Sequence, residues 1–112
     1  MNEFLNFKIY SVVEDDIATA LSRELDDDTM LSFNSKELVL FVAQLLIQTI
    51  AAPFVNDAYE HFKEAIISKA DEKGVVLTEE DSKKMFNDTF LLLSEAGELD
   101  ESWKKNWKPY EK

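Results

Sequence analysis

The sequence predicts an all-α fold: a small bundle of about four main helices, an apolar central helix over 36–52, and a short C-terminal helical segment. Three observations carry that expectation. Only two Gly and two Pro occur in 112 residues, too few for the turns that a β-sandwich or barrel needs every ~8–12 residues. Apolar residues recur every three to four positions, the period of a helix face. Helix-start patterns of the Ser/Thr-x-x-acid type stand ahead of several of these stripes.

Residues 1–10 are the least readable. Phe4, Leu5, Phe7, Ile9 and Tyr10 show no clean period, and a short strand, a helical turn or an arm packed on the bundle all fit them. The first firm helix is expected from Ser11. Ser11 and Glu14 have capping-box spacing, and Asp15 and Asp16 place negative charge in the first turns, where the helix dipole favours it. Val13, Ile17, Leu21 and Leu25 form its stripe, with Ala20 beside them. Asp26-Asp27-Asp28 should end it, because clustered Asp is a poor helix former and opposes the C-terminal dipole.

The second helix is expected to start at Asn34 or Ser35 and to reach at least Ala52. Between Leu38 and Ala52 only Gln44, Gln48 and Thr49 are polar, and the two Gln share a face. Pro53 should kink or break it. A third helix is expected from about Phe54 to Lys73, with Phe54, Ala58, Phe62, Ile66 and Ala70 on its buried side and Gly74 as its stop. Glu60 with Glu64, and Lys69 with Lys73, are like-charged neighbours on this helix. Thr78 caps a fourth helix whose buried side holds Met85, Phe86, Phe90, Leu92, Leu93 and Ala96; Gly97 ends it. A last segment from Asp100 to about Trp107 puts Trp103 and Trp107 on one face, and Pro109 closes it. Length alone makes residues 1–112 one domain.

Several chemistries fall away. No Cys is present, so disulfides and thiolate metal sites are excluded. The loop from Asp71 to Asp81 resembles a calcium loop only in being acidic. Counted from Asp71, positions 3, 5 and 6 are Lys73, Val75 and Val76, which offer neither ligands nor the required Gly. His61 is the only His and no nucleophile motif accompanies it. The chain is therefore expected to be a non-enzyme with no cofactor and no metal. The apolar run from Leu38 to Val55 approaches the ~20 residues of a membrane span. Its two Gln, Thr and Pro, and the lack of flanking Lys/Arg bias, favour a buried helix instead. The N-terminus lacks a basic region followed by an apolar stretch, so no signal peptide is expected and a cytoplasmic location is.

Charge is the remaining signal. The chain holds 23 Asp+Glu against 12 Lys+Arg, a net −11, and residues 1–34 alone carry −6 (8 acids, 2 bases). Such a chain repels nucleic-acid phosphates and attracts basic partners. The runs Glu14-Asp15-Asp16 and Glu79-Glu80-Asp81 are explained by helix starts, whereas Asp26-Asp27-Asp28 follows a helix end and is not. The leading functional expectation is an acidic interaction protein that inhibits or modulates a basic partner, such as a nuclease, a toxin or a nucleic-acid-handling complex. Bacterial immunity proteins and phage-encoded inhibitors have this general character of size, acidity and missing catalytic motif. Glu14, Asp15, Asp16, Asp26, Asp27 and Asp28 would carry the attraction. Trp107 or Tyr110 would anchor it, since aromatic residues are enriched in binding hot spots; Trp107 could equally close the core. The alternative is a structural protein that forms a homodimer through helix two or three, because so apolar a helix is hard to cover with short neighbours.

Overall fold

The computed structural model describes residues 3–24 and 33–107. It holds five helices and no strand among them: α1 (Glu3–Glu24), α2 (Phe33–Ile50), α3 (Ala58–Glu72), α4 (Glu79–Ala96) and α5 (Glu101–Asn106). Four long helices form the bundle and α5 is the short C-terminal segment. α2 and α4 each pack against the other three long helices, so they share its centre.

α1 begins well before Ser11. Leu5 and Ile9 continue the stripe of Val13 and Ile17 at the same four-residue spacing, and all four are buried. Of the strand, helical turn or arm that fitted residues 1–10, the helical form is found from Glu3 onward, as the first turns of α1. Ser11 stands inside the helix, so its capping-box spacing with Glu14 caps nothing. The apolar register decided the start, because tertiary burial of a continuous stripe outweighs one local cap. The stop expected at Asp26–Asp28 lies outside the described residues.

α2 starts at Phe33, ahead of both Asn34 and Ser35, and ends at Ile50, two residues short of Ala52. Ala51 and Ala52 form a bend before Pro53. The ring of a proline crowds the residue before it out of helical geometry, which accounts for an end ahead of the proline and not at it. Leu38, Val39, Val42, Ala43, Leu46 and Ile50 are buried. Gln44 and Gln48 share an exposed face with Leu40, which is 49% exposed.

α3 starts at Ala58 and not near Phe54. Residues 53–55 run irregularly, and Ala58 N–H donates to the Val55 carbonyl in a turn. Phe54 still packs on the core, held from outside any helix by α5 (below). Phe62, Ile66 and Ala70 are the buried side of α3. The like-charged neighbours on α3 are relieved by other partners: Lys63 pairs with Glu60 at 2.9 Å and Lys73 reaches Glu37 of α2 at 2.6 Å.

Both glycines lie just past a helix end with positive φ, Gly74 at 74° and Gly97 at 73°. After α3, Val75 N–H returns to the Ala70 carbonyl and Gly74 N–H to Asp71. After α4, Glu98 N–H returns to Leu93 and Gly97 N–H to Ser94. This paired pattern satisfies carbonyls that a helix end otherwise leaves open. Thr78 caps α4 reciprocally. Its Oγ1 accepts from Asp81 N–H at 3.1 Å, and the Asp81 carboxylate accepts from Thr78 N–H at 3.0 Å. Val75 and Leu77 are buried between these two ends, which fixes the α3–α4 connection.

One core runs through every element, from Leu5 of α1 to Trp103 of α5. Each fully buried large apolar side chain contributes roughly 1.5–3 kcal/mol. No helix of the described residues is long and apolar enough to cross a membrane.

Candidate functional site

The acidic run at Glu14-Asp15-Asp16 is divided by the helix that carries it. Asp15 faces solvent and Glu14 is half-buried. Asp16 turns inward against α4, with its side chain only 11% exposed. The ammonium of Lys84 donates to Asp16 Oδ1 and to Asp88 Oδ2, each at 3.0 Å. Asp16 Oδ2 is buried and receives no hydrogen bond. Burial pushes the Asp16 carboxyl up to about 6; Lys84 opposes this, while the nearby Asp88 carboxylate adds to it. Its two carboxylates in turn raise Lys84, Asp16 foremost. Asp16 was expected with Glu14 and Asp15 as a docking charge. The structure instead spends it inside the α1–α4 contact, because a 3.6-residue turn cannot keep three consecutive side chains on one face.

A second lysine makes the same kind of bridge between α3 and α4. Lys63 of α3 meets Glu60 at 2.9 Å and Glu79, at the start of α4, at 3.5 Å. Its ammonium is raised, by the hydrogen bond to Glu60 first. In both bridges one positive charge answers two negative ones, so each leaves net negative charge behind. Glu64, Asp71, Glu72, Glu80, Glu95 and Glu98 are half-exposed or exposed acids of α3, α4 and the turn after it.

Trp107 is half-buried at the C-terminal end of α5, and its expected roles meet here. Its indole Nε1 donates to Asn87 Oδ1 at 2.9 Å. Its ring sits 5.0 Å from that of Phe86, 5.3 Å from Tyr59 and 6.3 Å from Trp103. The donor is thus used within the chain, and the ring packs against three aromatic neighbours. Tyr59, packed in this cluster, has its hydroxyl pushed up by burial first and by Glu79 second. Trp103 is fully buried. Tyr110 and Asp26, Asp27 and Asp28 lie outside the described residues.

His61 is exposed and its Nε2 pairs with Asp57 at 2.9 Å, one turn away. Asp57 is the N-cap residue of α3, and its side chain makes no cap hydrogen bond. No group of three or more His, Asp or Glu placed to hold a metal ion occurs among the described residues.

Sequence reasoning missed Lys84 and Asp88. Their spacing of four residues is legible as an ion pair on α4. Their meeting with Asp16 is not, since 68 residues separate Asp16 from Lys84 and only the packing of α1 on α4 brings them together. Comparison of the chain with protein families, curated proteins and solved structures finds no match.

Proposed function

We propose that this protein is a non-enzymatic acidic interaction protein that binds a basic protein partner and inhibits or modulates it. One observation carries the reading. Of the lysines that meet carboxylates of another helix, Lys73 meets one acid, Glu37, while Lys63 and Lys84 each bridge two, so these lysines leave acidic charge unneutralised. Glu14 and Asp15 on α1, with Asp26, Asp27 and Asp28 following that helix in sequence, supply the long-range attraction. Asp16 is left out of that set, because Lys84 already holds it. Trp107, half-buried at the end of α5, would serve as the aromatic anchor, and Tyr110 follows three residues later in sequence.

The test is capture from cell extract on the immobilised protein, elution in rising salt, and identification of what is released. Attraction between exposed charges is screened over a Debye length of about 8 Å at physiological ionic strength. A basic protein should therefore leave at moderate salt. With that protein purified, reversing Asp26, Asp27 and Asp28 to Lys should slow association by about tenfold or more while dissociation changes little. Salt-insensitive binding with an unchanged on-rate overturns the reading.

A second reading, self-association through α2, is favoured by Leu40. It stands 49% exposed on the outer face of the most apolar helix, beside half-buried Phe41. A symmetric pair would cover it. A mass that stays monomeric from micromolar to millimolar concentration excludes this alternative.

A further inference from the structure

We propose that the α1–α4 seam is a proton-operated latch: on mild acidification Asp16 takes one proton from solvent, donates the resulting hydrogen bond to Asp88, and clamps α1 onto α4. The latch stands independently of the partner reading above.

The geometry leads there. Two carboxylates on different helices share a single ammonium, each 3.0 Å from it, so their bound oxygens are at most twice that apart. The second oxygen of Asp16 is shut away from solvent with no donor. A buried acceptor without a donor costs about 1–3 kcal/mol, and more when charged. Among the described residues no side chain supplies that donor. A proton on the carboxyl turns an acceptor into a donor, and a repelling pair of carboxylates into a hydrogen-bonded acid and carboxylate. Pairs of this kind hold one proton because both members cannot ionise cheaply at close range.

The surroundings leave the proton as the variable part. From α4, Lys84 and Asp88 face Asp16, and both act on its carboxyl. α2, the other helix packed on α1, carries only Lys36 and Glu37 as charged residues, both in its first turns; Glu37 is engaged by Lys73 and neither acts on Asp16. On α1 itself the neighbouring acids are Glu14 and Asp15. Lys84 is 59% exposed, so it can swing to solvent when Asp16 becomes neutral and remain with Asp88.

The sign follows from where the proton binds. Burial raises the Asp16 carboxyl from its ordinary 3.8 to about 6, so between those values the folded protein holds a proton that the unfolded chain has lost. Stability from this group is full below pH 4 and is lost as pH rises through 6.

The experiment is a carboxyl-carbon NMR titration of the full chain from pH 8 to 4, with amide hydrogen exchange measured at pH 7.5 and pH 5 and corrected for intrinsic rates. Asp16 should titrate near 6. Amides of α1 that exchange by opening of the seam should gain about tenfold in protection at pH 5, one decade for each pH unit below the midpoint. In Asp16→Asn, whose amide donates to Asp88 at every pH, that gain should vanish. In Asp88→Asn the new amide donates to Asp16, and its midpoint should fall toward the ordinary carboxylate range. An Asp16 midpoint near 4 in the wild-type chain overturns the latch, as does a protection gain that persists in Asp16→Asn. The wild-type titration decides the matter even if a variant fails to fold.

Discussion

The indole Nε1 of Trp103 donates to the carbonyl oxygen of Ala52 at 2.6 Å, which ties the C-terminal helix to the broken end of α2. The bond lands one residue before Pro53, where the helix ladder has already stopped. Beside it, Phe54 N–H donates to Ser102 Oγ at 2.7 Å, and the Phe54 ring meets Trp103 edge-on at 5.0 Å. α5 is only six residues long. Its value lies in closing the α2–α3 connection, where proline and an irregular segment leave backbone groups without helical partners.

That relationship separates the ring of Trp103 from its N–H. Trp103→Phe keeps most of the buried ring and deletes the donor, and it should cost about 1 kcal/mol, the net worth of one hydrogen bond. Trp103→Ala also opens a cavity at the foot of the core and should cost about 3–5 kcal/mol. Urea unfolding of the two variants should show this difference. Equal losses would mean that the bond to Ala52 contributes more than the ring.

Thr78 is a second point where one side chain controls a helix. Its hydroxyl accepts the Asp81 N–H, and the Asp81 carboxylate returns the favour to the Thr78 N–H. Thr78→Ala removes half of that exchange and should destabilise by about 1 kcal/mol, whereas Thr78→Ser should sit close to the wild type. Thermal unfolding of both variants under one buffer condition checks the difference.

Lys84 tests the acid pair from its basic side. Lys84→Met deletes the one positive charge that opposes the rise of Asp16. At pH 8 the two carboxylates then face each other uncompensated, and the variant should lose about 1 kcal/mol. The figure is small because the ammonium is more than half exposed and water screens it. At pH 5 Asp16 carries a proton, so the loss should shrink toward zero. A cost that is the same at both pH values would place the role of Lys84 in its methylene packing.

The helices and the core were largely legible in the sequence because burial writes itself as a period. Val13 and Ile17, Phe62 and Ile66, Phe86 and Phe90 all fall where the four-residue spacing puts them. Leu5 and Ile9 obey the same spacing, yet the exposed Phe4 and Phe7 beside them blur it. A capping pattern at Ser11 then offered a false start, since local hydrogen-bonding potential exists whether or not the fold uses it. The acidic surface was legible as composition only. Which member of Glu14-Asp15-Asp16 turns inward depends on the angle at which α1 meets α4. No residue near Asp16 in the chain announces Lys84 or Asp88. The irregular stretch at Phe54 was hidden for the same reason: its apolar side chain fits a helix stripe, while the contacts that hold it come from Ser102 and Trp103, about fifty residues on.

Gly97 offers a test in which packing plays no part. Its φ is 73°, in the left-handed region, and a Cβ built there meets nothing within 4 Å. Any cost of Gly97→Ala is therefore backbone strain, about 1–2 kcal/mol for an L-residue held in that conformation. Gly97→Asn should cost less, because Asn enters this region more readily. The strain sits where Gly97 and Glu98 return hydrogen bonds to Ser94 and Leu93. It should therefore appear first as faster amide exchange at 97 and 98, with the global unfolding midpoint following. If Gly97→Ala is neutral and those two amides keep their protection, the turn has another conformation open to it, and Leu99 is buried by some other route than the end of α4.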